Sequence, residues 1–265
     1  VTYNGSEQTN SGAIYSGQRG SDSFTISGYA SGINAGTYTD SLSLTTLSGN
    51  GLSNYEVTYT QGRLTINASG INALAIGGSK TYDGNAVFNA SSLSLSGIIS
   101  SDIGQVLLTG SAAVASKNVG TYTSWTTDNL SLSGSASSNY TLTGGTVSVT
   151  ISPATVTLGG ISKTYDGGTT KGNTSMTISG VGSETLGFTA ATYSDANVAT
   201  ANKYLTALTL ADNGSYLASN YQLPTLNTTT AAATINKATV TLSGISKTYD
   251  GSTSTGNTSM TISGV

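Results

Sequence analysis

Apolar and polar residues alternate one for one wherever apolar residues cluster in this chain. The pattern is clear at Phe24-Thr25-Ile26, Leu42-Ser43-Leu44 and Leu64-Thr65-Ile66, then at Leu93-Ser94-Leu95, Leu130-Ser131-Leu132 and Val147-Ser148-Val149-Thr150-Ile151. It returns at Ala154-Thr155-Val156-Thr157-Leu158 and at Ala233-Thr234-Ile235. A period of two places successive side chains on opposite faces, so each run predicts a strand with one buried face. Clusters of Gly, Ser, Asn and Thr between the runs predict turns. No segment carries helical apolar spacing, and β-branched residues dominate the apolar positions. A single helical turn near Ser101-Asp102-Ile103 or Gly182-Ser183-Glu184 is the exception, because a Ser before an acid can cap one. In the run from Val156 to Tyr165, Val156 and Leu158 share one parity while Ile161 and Tyr165 share the other. Burying all four requires a register shift, which places a bulge at Gly159-Gly160.

The strands fall into a repeat. Lys-Thr-Tyr-Asp-Gly occurs at 80–84, 163–167 and 247–251, and Val1-Thr2-Tyr3-Asn4-Gly5 is a looser copy. The tyrosine intervals are 82−3 = 79, 165−82 = 83 and 249−165 = 84. A period in the tens of residues marks an array of structural units. Asp-Gly or Asn-Gly after a strand-forming tyrosine predicts a tight turn, since these residues tolerate positive φ. The predicted turn residues are Tyr3, Asn4, Gly5, Tyr82, Asp83, Gly84, Tyr165, Asp166, Gly167, Tyr249, Asp250 and Gly251. Ser-Asn-Tyr recurs in phase at 53–55, 138–140 and 219–221. Four units follow: 1–68, which lacks its first strand; 69–152; 153–236; and 237–265, the start of a fourth. Residues 153–181 and 237–265 differ at only five aligned positions (153/237, 159/243, 168/252, 170/254 and 171/255), so the module is duplicated and both ends of the chain fall inside a module. The joints, Ser152-Pro153 and Asn236-Lys237, are too short to act as floppy tethers. The predicted architecture is all-β, a tandem series of small β-sandwich modules arranged end to end, with β-grasp-like modules as the alternative.

Composition narrows the chemistry. Charged residues make up 8% of the chain and the net charge is −3, so the basic footprint of a nucleic-acid binder is missing. No apolar run approaches the roughly 20 residues that a membrane-spanning helix needs. Cysteine and histidine are absent, which removes disulfides, thiolate metal sites, cysteine nucleophiles and the commonest general base. Asp83, Asp166 and Asp250 occupy equivalent turns one module apart, whereas paired-carboxylate catalysis needs roughly 5–10 Å. Turn roles account for them, and capping or turn roles account for Asp102 and Glu184. No P-loop, nucleophile elbow or calcium loop is present. These residues predict no catalytic site, no cofactor and no metal. The recurring tyrosines allow stacking on sugars, but once-per-module recurrence favours buried plugs with the hydroxyl at the rim. Trp125, unique to the second repeat, marks a module-specific contact. Lys80, Lys163 and Lys247 beside the turns are expected to be solvated or packed along their stems.

Tyr-Asp-Gly, an acidic turn, Lys117-Asn118-Val119-Gly120, Ser-Asn-Tyr and a closing Val-Thr-Ile strand together resemble the YDG and MBG repeat families. Repeats two to four are similar to the YDG type, and repeat one, with Tyr-Asn-Gly, to the MBG variant. In repeat three the Lys-Asn-Val-Gly element becomes Asp195-Ala196-Asn197-Val198-Ala199. The resemblance implies a large secreted bacterial surface protein of the filamentous-haemagglutinin-like adhesin kind. It implies a non-catalytic stalk or fibre that projects an adhesive region for attachment, aggregation or biofilm cohesion. The partners it implies are host or bacterial surface glycans, or like modules on neighbouring cells. A multivalent array with a weak ligand site on each module is the alternative.

Overall fold

In the computed structural model the alternating runs are strands. The structure describes residues 1–70, 76–142, 146–170, 172–253 and 258–263, and only the backbone of 244, 245 and 258–261. Helical pieces among the described residues are three-residue 3₁₀ turns, at Leu52–Asn54, Ala90–Ser92, Ser100–Asp102, Ser137–Asn139 and Ala218–Asn220. Three of them lead straight into the tyrosine of Ser-Asn-Tyr, whose amide closes the turn onto the carbonyl three residues back (Tyr55 to Leu52; likewise Tyr140 to Ser137 and Tyr221 to Ala218). The chain is all-β.

Repeat three shows the plan most fully. Its long leading strand, Thr157–Thr164, pairs antiparallel with Ser175–Ser179 on one side. On the other side it pairs parallel with the closing strand, Ala233–Asn236, from Ile161↔Ala233 to Thr164↔Asn236. The first and last strands of a repeat therefore lie side by side and run the same way. A second ribbon pairs Gly187–Tyr193 antiparallel with Leu205–Ala211. Val156, Ile161, Ile178, Ala191, Leu205 and Ile235 are buried. Repeat two has the same centre, with its strands in the order Leu93–Leu95, Ile76–Thr81, Val147–Ser152, Gly120–Tyr122. Repeat one has the parallel element as a single bridge, Thr2↔Asn67.

The bulge is present, with the register shifting between Gly159 and Ser162. The same shift occurs in repeat four between Ser243 and Ser246, although Ser243 stands where repeat three has Gly159. The glycine that the bend needs is Gly160, at φ +61, a left-handed backbone that disfavours a side chain. Val156 and Ile161 are both buried, so the bend brings both parities inward. Tyr165 departs from the expectation of a buried plug, for a reason given below.

By its contacts the chain forms two compact units: residues 1–80, 86–116 and 121–150, and residues 81–85, 117–120 and 151–265. These units are out of phase with the sequence repeats. The Tyr-Asp-Gly turn of repeat two and its Lys117–Gly120 segment belong physically with repeat three.

Candidate functional site: tyrosine–acid couplers

The four Tyr-Asx-Gly turns share one local geometry. Gly5, Gly84, Gly167 and Gly251 have φ of 77°, 82°, 83° and 74°. In each turn the Asx side chain accepts the amide two residues on: Asn4 from Ser6, Asp83 from Asn85, Asp166 from Gly168 and Asp250 from Ser252. This is the local bond that makes Asn and Asp turn residues. The turn lysines are more than solvated flanks. Lys163 is buried, with Nζ 2.6 Å from Asp166 Oδ1 and donating to the carbonyls of Gly168 and Thr170 at 2.9 Å. It lies 5.5 Å from the centroid of the Tyr193 ring. Lys247 repeats the ion pair with Asp250 at 3.0 Å. Lys163 thus staples its own turn and holds the Asp166 carboxyl below its ordinary value.

The turn tyrosines act at longer range. The first compact unit holds the first example: Tyr3 and Tyr140 both donate to Asp102 Oδ2 at 2.7 Å, and Ser101 donates to Oδ1. The two rings meet edge to face, with centroids 5.6 Å apart and planes at 77°. The Tyr140 hydroxyl also accepts the Ile99 amide at 3.1 Å, so its hydrogen-bonding capacity is well used. In the second compact unit Tyr82 and Tyr221 converge in the same way on Glu184, with rings 5.4 Å apart at 73° and Val181 N donating to the Tyr221 hydroxyl. Lys117 adds an ion pair to Glu184 at 3.4 Å. In both cases the turn tyrosine comes from one repeat, and the acid and its Ser-Asn-Tyr tyrosine come from the next. Each tyrosine plugs the socket of the following repeat.

The neighbouring asparagine forms a second clasp. Asn139 Oδ1 accepts the Ala35 amide at 2.8 Å, and its Nδ2 donates to Asn34 Oδ1 at 3.0 Å. Asn220 repeats this on Val119 and Asn118, both at 2.9 Å. The two clasps use the Asn-x-Gly segment of the preceding repeat (Asn34-Ala35-Gly36 and Asn118-Val119-Gly120).

This placement explains Tyr165. Its amide donates to Asn236 O at 2.9 Å, as those of Tyr3 and Tyr82 donate to Asn67 O and Ser152 O at 2.8 Å. Tyr3 and Tyr82 sit in sockets and are 5% and 2% exposed; Tyr165 has the same backbone setting and is 38% exposed. Tyr249 is exposed as well. Asp102 and Glu184 likewise depart from a capping role: no side-chain cap bond closes the Ser100–Asp102 turn, and each acid is the centre of a socket. The sequence signal for this was the similar distance from acid to Ser-Asn-Tyr tyrosine, 38 residues for Asp102 to Tyr140 and 37 for Glu184 to Tyr221, against 33 for Asp22 to Tyr55.

Electrostatically the coupler is quiet. Burial raises the Asp102 carboxyl, but hydrogen bonds from Tyr140, Tyr3 and Ser101 outweigh it and hold the group below its ordinary value. Glu184 is lowered by the same balance, with Lys117 contributing. Burial, then the bond to the acid, pushes Tyr140 and Tyr221 up to about 12. A general base works best near the ambient pH, and these groups are moved away from it in both directions. No group of three or more acidic side chains converges among the described residues. Trp125 packs on buried Phe88, with ring centroids 5.9 Å apart.

The chain belongs to the YDG domain family. The family model matches twice, over residues 68–149 and 148–231, together more than half of the chain. No curated protein and no solved structure matches it.

Proposed function

We propose that this chain is a length of stalk from a large secreted bacterial surface adhesin, a spacer that projects an adhesive region away from the cell. The observation that carries this reading is the coupler. One repeat's tyrosine is anchored on the next repeat's acid at two successive junctions, each backed by an asparagine clasp. Such bonds make neighbouring repeats support one another, as in other repeat arrays where interface terms add to marginal single-repeat stability. Tyrosines spent on couplers are unavailable to stack on sugars, which favours the spacer over a ligand site on every module. The reading is extracellular and non-catalytic, with surface glycans or like modules as partners of the projected region.

Two measurements on the chain test this. A glycan panel and whole bacterial or host cells should show no saturable binding; saturable binding would favour the multivalent array instead. Small-angle scattering should give an elongated particle, each whole repeat adding roughly 30–40 Å by the usual size scaling. A particle with the dimensions of a single globule of this mass would sink the stalk.

A further inference from the structure

Tyrosine is the residue of this chain on which an oxidising equivalent settles. The sequence holds 15 tyrosines, one tryptophan, two methionines and no cysteine. Cysteine and methionine are the side chains that ordinarily absorb oxidation, so with so few of them an electron is drawn from a phenol instead.

Four of these phenols are held in pairs. Tyr3 and Tyr140 share Asp102 Oδ2, and Tyr82 and Tyr221 share the Glu184 carboxylate. Hydroxyls that share one acceptor are neighbours, and a phenoxyl radical carries its spin on the oxygen and on the ring carbons beside it. The ring centroids are 5.6 Å and 5.4 Å apart, with planes at 77° and 73°. Two phenols joined ring to ring are themselves twisted, so the steep angle needs no flattening. The four rings are 5%, 5%, 2% and 6% exposed, which leaves each phenol its partner as the tyrosine within reach. Burial does not protect the pair, because an electron can leave without contact with the oxidant.

The carboxylate supplies a destination for the proton. Burial, then the bond to the acid, pushes Tyr140 and Tyr221 up to about 12, so these phenols are not ionised near neutral pH and must lose proton and electron together. A phenol that has lost an electron is a strong acid, and a charged acceptor already within hydrogen-bond reach takes its proton without movement of the chain.

We propose that each coupler is an oxidative cross-linking site, at which a haem peroxidase acting with hydrogen peroxide joins the paired tyrosines as dityrosine while the shared carboxylate takes the protons. Each phenol gives one electron to the oxidant and one proton, through the carboxylate, to solvent. The two phenoxyl radicals form a carbon–carbon bond beside their oxygens, and the displaced ring hydrogens move to the oxygens as the rings become aromatic again. The pair loses two hydrogens in all, and one hydrogen peroxide is reduced to two waters. A hydrogen-bonded junction between repeats thereby becomes a covalent one. The inference goes beyond the stalk reading and stands without it, since it concerns only the chemistry of the pairs.

The full chain treated with a haem peroxidase and hydrogen peroxide at neutral pH, then digested and read by mass spectrometry and dityrosine fluorescence, tests it. Peptides carrying Tyr82 and Tyr221 should be recovered joined, as should those carrying Tyr3 and Tyr140, each product lighter by two hydrogens than its separate peptides. Tyr82→Phe should abolish the first link and leave the second, with circular dichroism unchanged. Glu184→Gln keeps an acceptor and removes the base, so it should lower the first link several-fold against the second as internal standard. The same treatment in urea should scatter links over the other tyrosines. Absence of both links from the folded chain, the same two links in urea, or a first link undiminished in Glu184→Gln overturns the proposal.

Discussion

A tyrosine hydroxyl donating to a buried carboxylate contributes more than one facing water, because a charged acceptor strengthens the bond and a lost donor strands the charge. Tyr82→Phe keeps the ring against Tyr221 and removes only the bond to Glu184. It should destabilise the repeat-three fold by about 1.5–3 kcal/mol, read as a lower urea midpoint at unchanged slope. Tyr165→Phe is the matched control: the same sequence phrase and backbone bond, but no socket, so its change should stay within about 0.5 kcal/mol. Lys163→Met keeps the stem in its slot and deletes the charge that Asp166 and two carbonyls share. Breaking a buried pair costs about 3–5 kcal/mol, and the lower end applies because the Asp166 side chain is 28% exposed and can recover water.

The couplers also set a pH window with two edges. Asp102 and Glu184 are lowered on folding, so their contribution is present above the ordinary carboxylate range and is lost as pH falls through the folded values. Tyr140 and Tyr221 are raised from 10.0 to about 12, so their contribution is complete below pH 10.0 and is lost as pH rises toward 12. Urea midpoints measured across pH should show a plateau between the two edges. In Tyr140→Phe the alkaline edge should shrink; an unchanged edge would mean that the phenols are not coupled to folding.

At the scale of elements, alternation and turn chemistry are local properties, and they were legible. Each strand needs only its own side chains to show a buried face, and each Asx-Gly turn needs only its own φ. The bend at Gly159-Gly160 was legible too, from the change of parity between Val156 and Ile161, although which glycine matters was not. Gly160→Ala forces a left-handed residue and should cost roughly 1–2 kcal/mol. Gly159→Ser copies the residue that repeat four already carries at its bulge, has open space around it and should be near neutral. Thermal melts of the two variants decide this, and equal losses would place the strain elsewhere. The parallel pairing of first and last strands was beyond the alternation, because a period of two says which face is buried and nothing of which strand lies alongside.

At the scale of the whole chain, periodicity itself hid the couplers. In a repeating sequence every tyrosine has equivalent acids at several distances. Tyr82 stands 20 residues before Asp102 in its own repeat and 102 before Glu184 in the next. The pattern is identical for both, so only three-dimensional placement separates a plug within a module from a plug into its neighbour. The outcome is a mismatch between sequence repeats and folding units. Residues 81–85 and 117–120, numbered within repeat two, are packed with repeat three. Local opening follows packing and not sequence phase, so these segments should share the stability of repeat three. Leu205, fully buried in the repeat-three core, offers a way to lower that stability selectively; Leu205→Ala should cost about 2–5 kcal/mol. Hydrogen exchange on this variant should speed up at the Tyr82 amide, bonded to Ser152 O, and at the Val119 amide, bonded to Asn220. The Ala112 and Ala113 amides in the body of repeat two should keep their protection. If instead Tyr82 and Val119 stay protected along with Ala112 and Ala113, the folding unit is the sequence repeat after all, and the couplers contribute little to holding the array together.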